Sequence, residues 1–454
     1  MVTKRYSGFE GLLLIIITSC LAGLIKHPMH PPIPLKRELG LLEVTLSGTG
    51  IILGAGIYVL IGDAASLAGN AIWLSFAFAA LIAVFTGLSY AELTSMFPTA
   101  GAEHDYVAHA FHQRLAFIIG IMVILSGVVG AATVSLGFAG YFTSFTGLPL
   151  VLVAAALLLG LGCLTTWGIR ESTRVAILLT LVEVGGLVGI IAIGLPHLGS
   201  VDYLEMPSGL SGVFAGAALI FFAYQGFEEM VKLSEETRDP EKTIPRGLIL
   251  ALVITIILYL LVAVAAVSAV GFVSLASSPA PFAKIANTYL GSGGSTLFTI
   301  IALFATANTV LLMLVASSRL TYGMAKGGSL PLRFSLVHRT RRTPWIAIAA
   351  VTGLSLVFLT LGDIWVVAQI TNFTLYVTFL VINAAVIALR LHSPQLPRPF
   401  RIPLSLVGIP VTPVLGALVC VFFLFELTLH TLLIGAALLA ITLGVSYLTL
   451  QKKD

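Results

Sequence analysis

Charge is what this 454-residue chain has least of. Only 10% of its residues are Asp, Glu, Lys or Arg, against about 25% in an ordinary soluble domain. Hydrophobic residues make up 58%, more apolar surface than a water-soluble core hides, which excludes a soluble globular protein. The chain has no HExxH, no GxSxG and no Walker lysine motif, and its nine histidines are scattered; neither an enzyme nor a metal or cofactor site is expected. Repeated pore loops or a filter, which a channel would show, are not visible. The three cysteines, Cys20, Cys163 and Cys420, lie in apolar runs without CxxC spacing. They read as inert core thiols and say nothing about redox compartment. The net charge of +4 is spread between apolar runs in no continuous basic stripe, so nucleic acid is not an expected partner.

What the sequence does have is long apolar runs. A helix crossing a bilayer needs about 20 residues, each rising about 1.5 Å. Twelve runs qualify, near 40–62, 71–96, 114–146, 148–168, 175–195, 209–232, 247–272, 294–325, 344–361, 364–389, 404–426 and 431–450, which makes the chain an all-α polytopic membrane protein. With the start of the first span placed in the cytoplasm, 20 of the 24 basic residues fall in inner segments. Lys284 alone lies outside, and Lys4, Arg5 and Lys26 belong to an N-terminal extension. The positive-inside rule then puts both termini in the cytoplasm and the protein in the cell membrane, with the lipid bilayer as its surroundings. The extension, residues 1–35, holds an apolar run, Phe9–Ile25, that is marginal for a span. It reads as an interfacial helix, a signal-like segment, or the product of an upstream start codon with Met29 as the start.

The first span contains SGTGIILGAGIYVLIG, with Gly48, Gly50, Gly54, Gly56 and Gly62 in one run. Each glycine costs about 1 kcal/mol against alanine inside a helix. Such a run either lets helices pack closely or marks a helix that breaks where protein or a cavity can satisfy its backbone. The sixth span repeats the theme: Gly209, Gly212 and Gly216 precede FFAYQGFEE at 221–229. Interrupted spans at equivalent places in two five-helix halves point to a midplane binding site. Residues 36–195 would form the first repeat, 196–390 the second, and 391–454 two further spans and a short tail.

Glu92, in YAEL, lies near the cytoplasmic end of the second span, where an orienting interfacial charge is the simplest reading. Glu183, in the middle of the fifth span, is costly at bilayer depth. It is either a proton or cation site or a structural carboxyl hydrogen-bonded to freed backbone. Thr306, Asn308 and Thr309 supply polar groups in the eighth span.

Taken in order, GAGIY at 54–58, YAEL with Pro98 and Gly101, FFAYQGFE at 221–228, the two glutamates at 235–236 with Pro240 and Ile244-Pro245, and MAKGGSLP with Thr343-Pro344 resemble the amino acid–polyamine–organocation superfamily of secondary transporters. The likeness is to its bacterial and archaeal amino acid permeases. It implies twelve transmembrane helices: a five-plus-five inverted repeat with discontinuous helices 1 and 6, plus two peripheral helices. It also implies alternating access, by symport with protons or by exchange. The substrate-binding residues would include Gly54, and the substrate α-carboxylate would meet the amides around Ala55, Gly56 and Ile57, where a helix N-terminus favours anions. The α-ammonium would meet carbonyls near Ile51, Ile52, Phe222, Ala223 and Tyr224, beside Gly226, and the ring of Tyr224 or Phe227 would gate the site. Coupling would fall to Glu183 with Thr306 and Asn308. Tyr58 stands where the superfamily often has Phe, and His104 where it often has Tyr. Glu183 stands where several relatives have a lysine, so a lysine-based mechanism is not available. The apolar wall favours neutral amino acids, whereas Glu228 and Glu229, if they face the cavity, favour a cationic amino acid or a polyamine. A polyamine or organocation carrier and a non-transporting amino acid sensor are the alternatives.

Overall fold

The apolar runs form helices almost without exception. The computed structural model describes residues 34–278, 280–359, 364–406 and 408–450; the readings made of residues 1–33 lie outside the described residues. In chain order the helices are α1 (Leu41–Ala68), α2 (Ile72–Met96), the short α3 (Ala102–Ala110), α4 (Gln113–Thr146), α5 (Leu150–Trp167), α6 (Ile169–Gly194) and α7 (Gly209–Tyr224). There follow α8 (Phe227–Met230), which runs into a 3-10 turn to Glu236, then α9 (Pro240–Ala276), α10 (Pro281–Lys326), α11 (Trp345–Phe358), α12 (Ile364–His392), α13 (Val411–Phe425) and α14 (Leu429–Leu450). A two-residue hairpin, β1 (Ser405–Leu406) with β2 (Ile409–Pro410), precedes α13. Local chemistry sets the ends: Pro240 opens α9 where a missing N–H costs nothing, and Gly147 closes α4 at φ 69°.

Ten helices among the described residues are long and apolar enough to cross a membrane. The ninth and eleventh runs give shorter apolar helices, Trp345–Phe358 and Val411–Phe425; 14 residues reach about 21 Å at the α-helical rise. The segment before the eighth run is itself helical, from Pro281 to a non-helical kink at Gly291. It is the first part of α10, which bends at Gly291 (φ 70°) and continues to Lys326.

Two groups of helices meet at α1. On one side α1 and α2 each pack against α7 and α9; on the other, α10 packs against α4 and α6, and α4 against α5 and α12. Both ends of the junction are tied. At one end the Glu38 and Leu39 N–H groups donate to Glu236 O, and Arg238 N–H donates to Leu39 O, giving a parallel bridge between Leu39 and Thr237. At the other end Asn70 Nδ2 donates to Glu205 Oε2 at 2.6 Å while Asn70 Oδ1 accepts from Phe272 N–H at 3.1 Å.

Candidate functional site

Halfway along α1 the helix is interrupted at Gly54, whose φ of 14° and ψ of −160° are not helical. Beside it, α7 stops at Tyr224 and α8 begins at Phe227, with Gly226 at φ 118° between them. That conformation suits glycine, which has no Cβ to clash. The two interruptions touch. A Cβ on Gly56 would lie 2.6 Å from Ala223 Cα, and one on Gly226 2.9 Å from Ile51 C and O.

Around this crossing lies a cavity of about 30 Å³ lined by Ile51, Ile52, Gly54, Gly56, Phe222 and Gly226, among others. A space of that kind admits a few waters at about 10–15 Å³ each and must widen before an amino acid fits. Ile57, Ala223, Tyr224 and Phe227 are buried beside it but do not line it. The Tyr224 ring packs 5.1 Å from Tyr259, and Phe227 packs 5.2 Å from Phe379, so both rings sit behind the cavity wall. Ala55 lies within α1, and its side chain is outside the described residues.

The carbonyls at the interruptions share an unforeseen partner. The Tyr259 hydroxyl lies 2.8 Å from Ile52 O, 3.0 Å from Leu53 O and 2.9 Å from Ala223 O. It has one proton for three acceptors. Two elements of the site are therefore held by one side chain of a third helix, α9.

Glu183, on α6, is fully buried. Its Oε1 accepts from Asn308 Nδ2 at 3.1 Å, and the same nitrogen lies 3.1 Å from Thr180 Oγ1. Tyr58 O–H donates to the Glu183 backbone carbonyl at 2.9 Å. Glu183 Oε2 and Asn308 Oδ1 are buried acceptors without a donor among the described residues. A Cβ on Gly50 would collide with Thr180 Oγ1, so α1 passes directly over this cluster. Thr306 does not join it: its hydroxyl donates to carbonyls of its own helix, Ala302 and Leu303.

A family model described as "Amino acid permease" matches residues 39–446, a range that takes in both interruptions and the Glu183 cluster. The chain belongs to the amino acid permease family. Among its relatives, the branched-chain amino acid permease BcaP of Bacillus subtilis is 32% identical over 440 residues, covering 92% of this permease and 94% of the relative. The methylthioribose transporter of the same organism is 30% identical, over 87% of this permease and 89% of the relative. The chloroplastic cationic amino acid transporter 9 of Arabidopsis thaliana is 31% identical, over 67% and 58% respectively.

The permease also buries charge that the sequence placed at a solvated edge. Lys232, Arg319 and Arg390, counted above among the cytoplasmic basic residues, are respectively 1%, 0% and 7% exposed. Arg319, on α10, donates from Nε and Nη2 to the two carboxylate oxygens of Glu236, each at 3.0 Å. Arg390, on α12, makes the same fork with Glu92, at 2.7 and 2.6 Å, and Ile402 N–H adds a bond to Glu92 Oε2. Glu92 is thus a fully engaged junction rather than a lone interfacial charge. Glu228 and Glu229 do face the permease's cavity, but each is occupied. Gly226 N–H donates to Glu228 Oε2 at 2.9 Å, and Lys232 Nζ to Glu229 Oε2 at 2.6 Å. Lys232 also lies 3.6 Å from Glu103 Oε1, on α3, where burial pushes the Glu103 carboxyl up to about 6.

Proposed function

We propose that the permease is a secondary carrier that moves amino acids across the cytoplasmic membrane by alternating access, with accumulation driven by protons through Glu183. In this reading the two shorter apolar helices complete twelve spans, residues 36–195 and 196–390 are the two inverted repeats, and both termini are cytoplasmic. The observation that carries it is the pair of touching interruptions around one cavity. An interrupted helix leaves N–H groups at the start of one half and carbonyls at the end of the other, and a zwitterion needs both. The carboxylate would sit at the amides of Gly56 and Ile57. The ammonium would compete with the Tyr259 hydroxyl for the carbonyls of Ile52 and Ala223. Amino acid transport is also what the names of two of the relatives describe. At about 30 Å³ the cavity is too small for substrate, so in this reading the cycle includes a stage at which it widens.

Glu183 supports the coupling half of the proposal. Two buried acceptors without a donor among the described residues, Glu183 Oε2 and Asn308 Oδ1, leave the cluster one donor short, a deficit that a proton on the carboxylate removes. An ionisable residue inside a membrane span is a functional position by default. The test is uptake of a panel of amino acids into proteoliposomes in sodium-free buffer, with and without an inward proton gradient. Gradient-driven accumulation is expected for the native protein and lost in Glu183→Gln, while exchange of preloaded substrate persists. Uptake that ignores the gradient, needs substrate on the far side and survives the substitution would make the permease an exchanger and Glu183 structural. Binding without either activity would leave a sensor.

A further inference from the structure

Two carboxylates, Glu228 and Glu229, line the cavity, and among the described residues no lysine or arginine does. By lining alone the cavity would attract a cation. What each carboxylate bonds to reverses that expectation. Glu228 Oε2 is capped by the Gly226 N–H, part of the backbone geometry that the φ of 118° at Gly226 imposes. Glu229, only 12% exposed, is gripped by Lys232 one turn on. Lys232 lies outside the cavity lining, is 1% exposed, and has Glu103 on its other side. Glu229 also lines a second, smaller void toward the Arg319–Glu236 end, with Ser47, Met230 and Leu312. Its carboxylate therefore stands between the cavity and that end, and Lys232 decides which way its charge is answered.

We infer that Lys232 sets the charge selectivity of the cavity: by holding Glu229 it reserves the site for amino acids with uncharged side chains and shuts out cationic ones. This rests on the amino acid carrier reading above and names the substrate class it takes. A buried ion pair that loses one partner leaves an uncompensated charge. Here that charge would have a cavity in front of it, and the ammonium or guanidinium of a cationic substrate would be the cation that answers it. With Lys232 in place, the same substrate brings a second positive charge toward an ion pair already made, and its desolvation is not repaid.

Lysine and norleucine are the probes, because lysine is norleucine with an ammonium at its end. Each is measured as an inhibitor of labelled leucine uptake by proteoliposomes and as a thermal stabiliser of the purified full-length protein. In the native protein norleucine is expected to act and lysine to be weaker by about tenfold or more, the scale of one close charge pair. In Lys232→Met the lysine-to-norleucine ratio should move toward lysine by about tenfold or more on the same grounds. Lys232→Arg should keep the native ratio, and Lys232→Met combined with Glu229→Gln should restore the preference for norleucine. A purely structural lysine would change yield or melting temperature but not that ratio. Lysine acting as well as norleucine on the native protein would overturn the inference whether or not Lys232→Met folds, and so would an unchanged ratio in a folded Lys232→Met. Uptake absent for every amino acid of the panel, with neither probe stabilising the protein, would instead overturn the carrier reading and this inference with it.

Discussion

Uptake by a Gly56→Ala variant is expected to fall by about a hundredfold or more, the penalty that a misplacement of about 1 Å at a reacting or binding geometry carries. The added methyl has nowhere to go. Its nearest neighbours are Ala223 Cα at 2.6 Å and Cβ at 2.9 Å, and backbone does not rotate away as a side chain does. Relief requires α1 and α7 to separate, which moves the amides of one interruption away from the carbonyls of the other. Overpacking of this size costs about 1–3 kcal/mol, so the variant should still fold and insert. The discriminating measurement is therefore binding or uptake normalised to the amount of monodisperse protein. Native uptake by Gly56→Ala, or by the larger Gly56→Leu, would mean that the interruptions are not where substrate sits.

Arg319→Met should lower stability by about 3–5 kcal/mol, because it leaves the buried Glu236 carboxylate without its partner. Both residues are fully buried, and the fork between them joins α10 to the segment after α8. The loss is one of pairing more than of packing, since methionine fills much of the same volume. The double variant Arg319→Met with Glu236→Gln should therefore recover most of the loss, as replacing both members of a buried pair often does. Thermal unfolding of the three proteins in detergent provides the comparison. A loss in Arg319→Met of about 1 kcal/mol or less, the range of an exposed pair, would mean that water reaches Glu236 for much of the time and that this end of the molecule opens readily.

The parts of the site legible in the sequence are those written in glycine. Gly54, Gly56 and Gly226 stand out because nothing else justifies glycine inside an apolar span, and all three line the cavity. Glu183 and Asn308 stood out because polar groups are costly there, and they are bonded to each other. Thr306 belonged to the same polar run yet turns to its own helix, a choice of rotamer that no pattern of residues records. Tyr259 left no trace, since its partners are backbone carbonyls of other helices and the residue is one more aromatic in the apolar run ILYLL. Lys232 and Glu103 are 129 residues apart in a chain with mixed charges around each, where a solvated face is the ordinary expectation. Only the tertiary fold, which brings the turn after α8 to α3, makes them neighbours. The same limit applies to Glu92 and Arg390, whose contact spans 298 positions.

The bridge between Leu39 and Thr237 bears on leakage. Were the first half of α1 and the α8 segment independent flaps, either could stray and open a path past the substrate. Three backbone hydrogen bonds link them, worth about 3 kcal/mol together at the usual net value, so in the proposed alternating-access cycle the two would move as one lever. A single lever leaves the seal only when the whole of it moves. Fluctuations of one half are thereby kept from dissipating the gradient that the carrier is proposed to use.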